Sequence, residues 1–169
     1  MTTSLRIPDA EAMEALGARL AALLDAGDLV VLDGPLGAGK TTLTRGLGAA
    51  LGARGAVTSP TFVLAREHPT ASGVPLVHVD AYRLGTAREL DDLDLDYDGA
   101  IVVVEWGAGK LDGVAESWID IAIARDAAED SRDVTITGNG PRWQHLDDAL
   151  RGFETRPPSA GAPQPTGSA

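Results

Sequence analysis

Two rhythms of apolar positions organise this chain. One is helical: Met13, Leu16, Leu20, Leu23 and Leu24 recur at the spacing of a helix face, as do Leu43, Leu47 and Leu51. Pro8-Asp9 supplies a helix start with Asp9 as N-cap, Glu11 and Glu14 sit near the positive end of the dipole, and Gly27 ends the first run. The other rhythm is the short apolar run of a buried strand, as in Leu29-Val30-Val31-Leu32, Val74 to Asp80 and Ala100 to Val104. Leu5-Arg6-Ile7 reads as a further short strand. Trp118 to Ile123 and Asp133 to Thr137 alternate instead, with a short link between them, which predicts an antiparallel pair extending the sheet. The pattern predicts one α/β domain over residues 1–153, with a mostly parallel central sheet, flanking helices and an antiparallel C-terminal strand pair. Pro141 to Phe153 is predicted to be a short helix, and residues 154–169, rich in Pro, Gly, Ser and Ala, a disordered tail.

Between the run ending at Leu32 and the helical pattern opening at Thr41 lies Gly34-Pro35-Leu36-Gly37-Ala38-Gly39-Lys40-Thr41-Thr42, which contains a complete G-x-x-x-x-G-K-[ST] loop. The strand-to-helix context is the one the motif needs: backbone N–H groups wrap phosphates, Lys40 reaches the terminal phosphates, and the Thr41 hydroxyl is placed for Mg²⁺. This predicts a P-loop NTPase-type fold that binds a nucleoside triphosphate.

Composition narrows the context. A chain of 169 residues fits one domain with a sizeable core. It has no cysteine, so thiolate metal sites, thiol nucleophiles and disulfides are excluded. The N-terminus carries no basic start followed by a long apolar core, and no apolar run reaches membrane-spanning length, so a cytoplasmic protein is expected. A formal net charge of −11 opposes direct grip on a nucleic-acid backbone; any RNA would be held by a partner. Lys40 and Lys110 are the only lysines among 14 basic residues, which makes the place of Lys40 conspicuous.

Two carboxylates end apolar strands. Asp80 and Glu105 are each delivered to the edge of the sheet where open α/β folds bind ligands, and either is able to hold Mg²⁺ while the other orients an attacking water. Asp80 also suits a helix cap or a partner for Arg83. His78, two positions before Asp80, shares its strand face and reads as structural. Trp106 reads as a core or edge anchor. Ser59-Pro60-Thr61-Phe62, within a turn that leads toward a strand, either senses the terminal phosphate or Mg²⁺ as a switch loop or serves local turn chemistry. Arg132 is either a surface charge or a group that reaches nucleotide.

Two stretches imitate other sites. Asp94-x-Asp96-x-Asp98-Gly99 with Glu105 satisfies the EF-hand pattern, yet Ala100 to Val104 is β-branched and strand-like where an EF-hand needs a helix, so the acidic segment is expected to be a solvated loop. Gly107-Ala108-Gly109-Lys110-Leu111 resembles half a phosphate loop, but Leu111 replaces the hydroxyl residue.

Taken together, Leu36-Gly37-Ala38-Gly39-Lys40-Thr41-Thr42, Thr58-Ser59-Pro60-Thr61-Phe62, His78-Val79-Asp80-Ala81-Tyr82-Arg83-Leu84 and Val104-Glu105-Trp106 resemble, in order and spacing, the TsaE (YjeE) family. That resemblance, covering Leu5 to Gly140, implies an ATPase that uses Mg²⁺ and works with TsaB and TsaD in threonylcarbamoyl modification of adenosine 37 of tRNA. It implies Mg²⁺ positions at Thr41 and Glu105, an essential acid at Asp80, a switch-like loop at Ser59 to Phe62, a motif tryptophan at Trp106 and a nucleotide-side arginine at Arg132. Pro35 and Met13 depart from the family pattern, Met13 on the helix near the expected adenine. A small-molecule kinase and a nucleotide-dependent binding module are the alternative functions.

Overall fold

Alternation along the buried strands decides which side of the sheet each residue serves. The computed structural model describes residues 1–58, 64–111, 113–125 and 129–153. In chain order the elements are β1 (Thr2–Ile7), α1 (Ala10–Ala21), β2 (Leu29–Asp33), α2 (Lys40–Ala50), β3 (Ala65–His68), β4 (Leu76–Asp80), α3 (Ala87–Asp91), β5 (Ile101–Glu105), β6 (Trp118–Arg125), β7 (Arg132–Asn139), a 3₁₀ turn (Pro141–Trp143) and α4 (Leu146–Leu150). The seven strands form one sheet in the order β1-β7-β6-β2-β5-β4-β3.

The sheet is mixed, which corrects the expectation of a mostly parallel one. β2 runs parallel to β5 and β6, and β4 to β5, whereas β1–β7, β3–β4 and β6–β7 are antiparallel. Connection length explains two of the antiparallel pairs. Parallel neighbours need a long crossover, and β3–β4 and β6–β7 are joined by links too short for one. The antiparallel β6–β7 pair is found as expected, and β1 closes that edge by pairing along its whole length with β7.

Val30 and Leu32 of β2, Ile101 and Val103 of β5 and Ile119, Ile121 and Ile123 of β6 form one core with Met13, Leu16 and Leu20 of α1 and Leu43 and Leu47 of α2. Each fully buried leucine contributes about 1.5–3 kcal/mol. The two helices touch backbone to backbone: a methyl added at Gly46 would lie 2.1 Å from the Glu14 carbonyl oxygen, and one at Gly17 would lie 2.2 Å from that of Leu43. This contact sets the height of α2, and hence of its first residues, above the sheet.

The other face carries Leu29, Val31, Val77, Val79, Val102 and Val104, covered by Leu84, Leu90 and Leu111. Here the acidic segment is more than a solvated loop. It includes α3, capped reciprocally by Thr86 and Glu89, and Leu90, Leu93, Leu95 and Tyr97 pack onto the sheet while the carboxylates face outward. Asp96 accepts the Gly99 amide at 2.9 Å, and Ile101–Glu105 is strand, so no calcium loop forms. The predicted C-terminal helix is split into the 3₁₀ turn and the shorter α4. Among the described residues no helix is long and apolar enough to cross a membrane. The expected tail at residues 154–169 lies outside the described residues.

Candidate functional site

Because β2, β4 and β5 run parallel, their C-terminal ends share one edge. The register pairs Asp80 with Glu105 and Leu32 with Glu105, which brings both acids beside the loop that comes after β2. That loop uses backbone conformations other residues avoid. Gly34 has φ 148° and a methyl there would lie 2.5 Å from the Ile123 carbonyl oxygen; Gly39, with φ 119°, is the N-cap of α2. The N-terminus of this 11-residue helix therefore opens into the loop, a setting that favours anions.

A cleft of about 480 Å³ lies over this edge. Leu36 to Thr42 form one wall, and Asp80, Tyr82, Glu105 and Trp106 the other. The Lys40 ammonium donates to the carbonyls of Gly34 (2.6 Å) and Pro35 (3.1 Å) and sits 4.0 Å from the centre of the Trp106 ring. Burial pushes the Lys40 pKa below its ordinary 10.5, with Glu105, Asp33 and Asp80 pulling the other way. Trp106 adopts a left-handed backbone, φ 61°, and its ring also meets Tyr82 at 5.1 Å. A non-glycine residue held there stores strain, a feature that gathers at functional sites.

The carboxylates hold different partners. Thr41 donates its hydroxyl hydrogen to Glu105 Oε1 at 3.2 Å, so the hydroxyl lone pairs remain for another ligand. Asp80 Oδ1 accepts the Tyr82 amide at 2.9 Å, closing an Asx turn. The bond gives Asp80 a local turn role beside its place at the strand end. Among the described residues no group of three or more acidic, His or Cys side chains could hold a metal ion unaided. One or two carboxylates with a hydroxyl suit Mg²⁺, which keeps several waters and shares substrate phosphates.

Arg132 stands apart from the acids. Its Nε donates to the Ala38 carbonyl at 3.0 Å, and Nη1 to those of Asp130 (2.7 Å) and Ser131 (3.1 Å), bracing the loop from outside. There it lines a second, smaller cavity of about 100 Å³ with Asp9, Met13 and Gly37 to Gly39. Lys110 donates to the Ala81 carbonyl at 2.8 Å, so Gly107 to Lys110 is a bracing turn and no second phosphate loop. Ser59 to Phe62 lie outside the described residues. Sequence reasoning gave no site role to Tyr82, although its place two residues beyond an acid at a strand end was the available signal.

The family model "Threonylcarbamoyl adenosine biosynthesis protein TsaE" matches residues 7–134. A Streptomyces coelicolor protein named tRNA threonylcarbamoyladenosine biosynthesis protein TsaE is 58% identical over 142 residues, covering 80% of this chain and 96% of that one. The Bacillus subtilis protein of the same name is 35% identical over 148 residues, covering 86% and 91%. A crystal structure of Bacillus subtilis YdiB superposes with a TM-score of 0.72 at 31% identity, over 89% of this chain and 94% of that one. A family model spanning most of the chain, with relatives matched nearly end to end, places this protein in the TsaE family.

Proposed function

We propose that this chain is an ATP-binding and ATP-hydrolysing subunit, built on a P-loop, that acts with TsaB and TsaD in the threonylcarbamoyl modification of adenosine 37 in tRNA. The observation that carries the reading is the bond from Thr41 to Glu105 beneath a glycine-rich loop at a helix N-terminus. The name borne by the relatives supplies the tRNA context.

Lys40 and the loop N–H groups hold the phosphates, Lys40 leaving the Gly34 and Pro35 carbonyls to do so. Thr41 and Glu105 would hold Mg²⁺, which when bound neutralises charge on the phosphate oxygens. Asp80, on the same edge, orients the attacking water. Leu36 and Tyr82, 89% and 67% exposed at the rim, leave the mouth open to a docked protein. The acidic chain, at −11, engages tRNA through its partners. The protein works in the cytoplasm.

The test is ATP turnover measured alone and with the TsaB–TsaD pair, for the unaltered chain and for Glu105→Ala. Weak turnover that the pair stimulates, and that Glu105→Ala abolishes, is expected. A rate unchanged by the pair while the three bind would overturn the reading, as would ATP consumption only in the presence of a small-molecule acceptor.

A further inference from the structure

His78 has no part in the proposed hydrolysis, yet its surroundings are those of the site. It lies on β4 opposite Val103, on the same face as Asp80 and one step inward along the strand. The side chain is completely buried. Its Nε2 sits 3.2 Å from Glu105 Oε1, the oxygen that also accepts the Thr41 hydroxyl. Among the described residues neither ring nitrogen makes a hydrogen bond of good geometry.

A buried imidazole without a bond is costly, and this face of the sheet is otherwise Leu76, Val103, Val30 and Leu32, where an aliphatic side chain would pack without that cost. The polar contact it does have is Glu105. At 3.2 Å the two atoms are already within hydrogen-bond distance, so a rotation of ring or carboxylate would make the contact an Nε2–H···Oε1 bond.

We propose that His78 is a positioning residue for Glu105. It holds Oε1 on the protein side, next to Thr41, and so fixes the rotamer that offers the carboxylate to the cleft and to Mg²⁺. The inference rests on the proposed assignment of Glu105 and Thr41 to Mg²⁺. Outer partners of this kind orient a metal-holding group without touching the metal, and their loss typically weakens metal affinity by about 10–100-fold.

The test uses the full chain and isothermal titration with a non-hydrolysable ATP analogue, once in Mg²⁺ and once in EDTA. The ratio of the two dissociation constants measures the coupling between metal and nucleotide. His78→Leu should keep the affinity in EDTA within about twofold and lower the coupling about tenfold. His78→Gln, which retains an N–H donor at a similar reach, should restore most of it. The half-saturating Mg²⁺ for turnover should rise in the same order. Two results would overturn the proposal: coupling equal to the unaltered chain in both variants, or equal losses in EDTA and Mg²⁺, which mark a packing role. If the unaltered chain binds the analogue but shows no coupling, the Mg²⁺ assignment itself fails and His78 loses its proposed role with it.

Discussion

Two buried carboxylates sit at opposite ends of the same sheet and are treated differently. Asp28, just before β2, is 3% exposed and grips the Arg142 guanidinium with both oxygens, one contact measuring 2.6 Å; it also accepts the Asp25 amide at 2.7 Å. Glu105, at the far end of β5, is 2% exposed and, among the described residues, its side chain meets one hydroxyl and an imidazole nitrogen. The nearby ammonium of Lys40 is turned toward carbonyls and the Trp106 ring. A charge that serves stability is closed off by a fork of donors, whereas the carboxylate proposed to take part in the chemistry is held short of its full complement of partners.

The contrast breaks first at Glu105. Glu105→Gln keeps the volume, so its melting temperature should stay within a few degrees of the unaltered chain, while ATP turnover should fall by about 10²-fold or more. A steady-state assay beside a melting curve checks both halves. At the other end Arg142→Ala leaves Asp28 buried without its fork. Since the arginine side chain is itself 47% exposed, the cost should be moderated to about 2–3 kcal/mol, a Tm lower by about 5–10 °C, with nucleotide affinity retained. Loss of affinity greater than loss of stability would mean the two ends are coupled.

Gly46→Ala tests the link between them. The added methyl must push α1 from α2, costing about 1–3 kcal/mol and tilting the helix that carries Lys40 and Thr41. Both melting temperature and nucleotide affinity should drop, unlike either of the other two variants. The smallest effect is with pH. Burial holds the Lys40 pKa below 10.5, and only the charged amine favours phosphate, so affinity is full below the folded pKa and declines as pH rises through it. Titrations across the alkaline range should show that decline starting at a lower pH than a fully solvated lysine would give.

Legibility in the sequence divides along the same line. The loop from Gly34 to Thr41 and the acids at Asp80 and Glu105 were legible because a strand end, a glycine pattern and a charge coincide within a few residues. The pairing of Asp28 with Arg142, 114 residues apart, was not, since nothing local marks it. Strand direction misled for a related reason: apolar runs say that a strand is buried, and the lengths of the links decide whether its neighbour is parallel. α3 escaped notice because its apolar residues are few and lie among aspartates, although Thr86 and Glu89 spell a capping box. The close approach at Gly17 and Gly46 was hidden inside runs that read as ordinary helix faces.

The stacking of Trp106 on Lys40 has an optical consequence. The chain has three tryptophans; Trp143 lies under Arg142 at 4.5 Å and Trp118 bonds Asp120 at 2.9 Å, both away from the cleft. Replacing those two with phenylalanine would leave a single chromophore 4.0 Å from the amine proposed to meet phosphate. Its emission would then track the departure of that amine from beneath the indole, giving a label-free signal of site occupancy on the timescale of a stopped-flow mixing experiment.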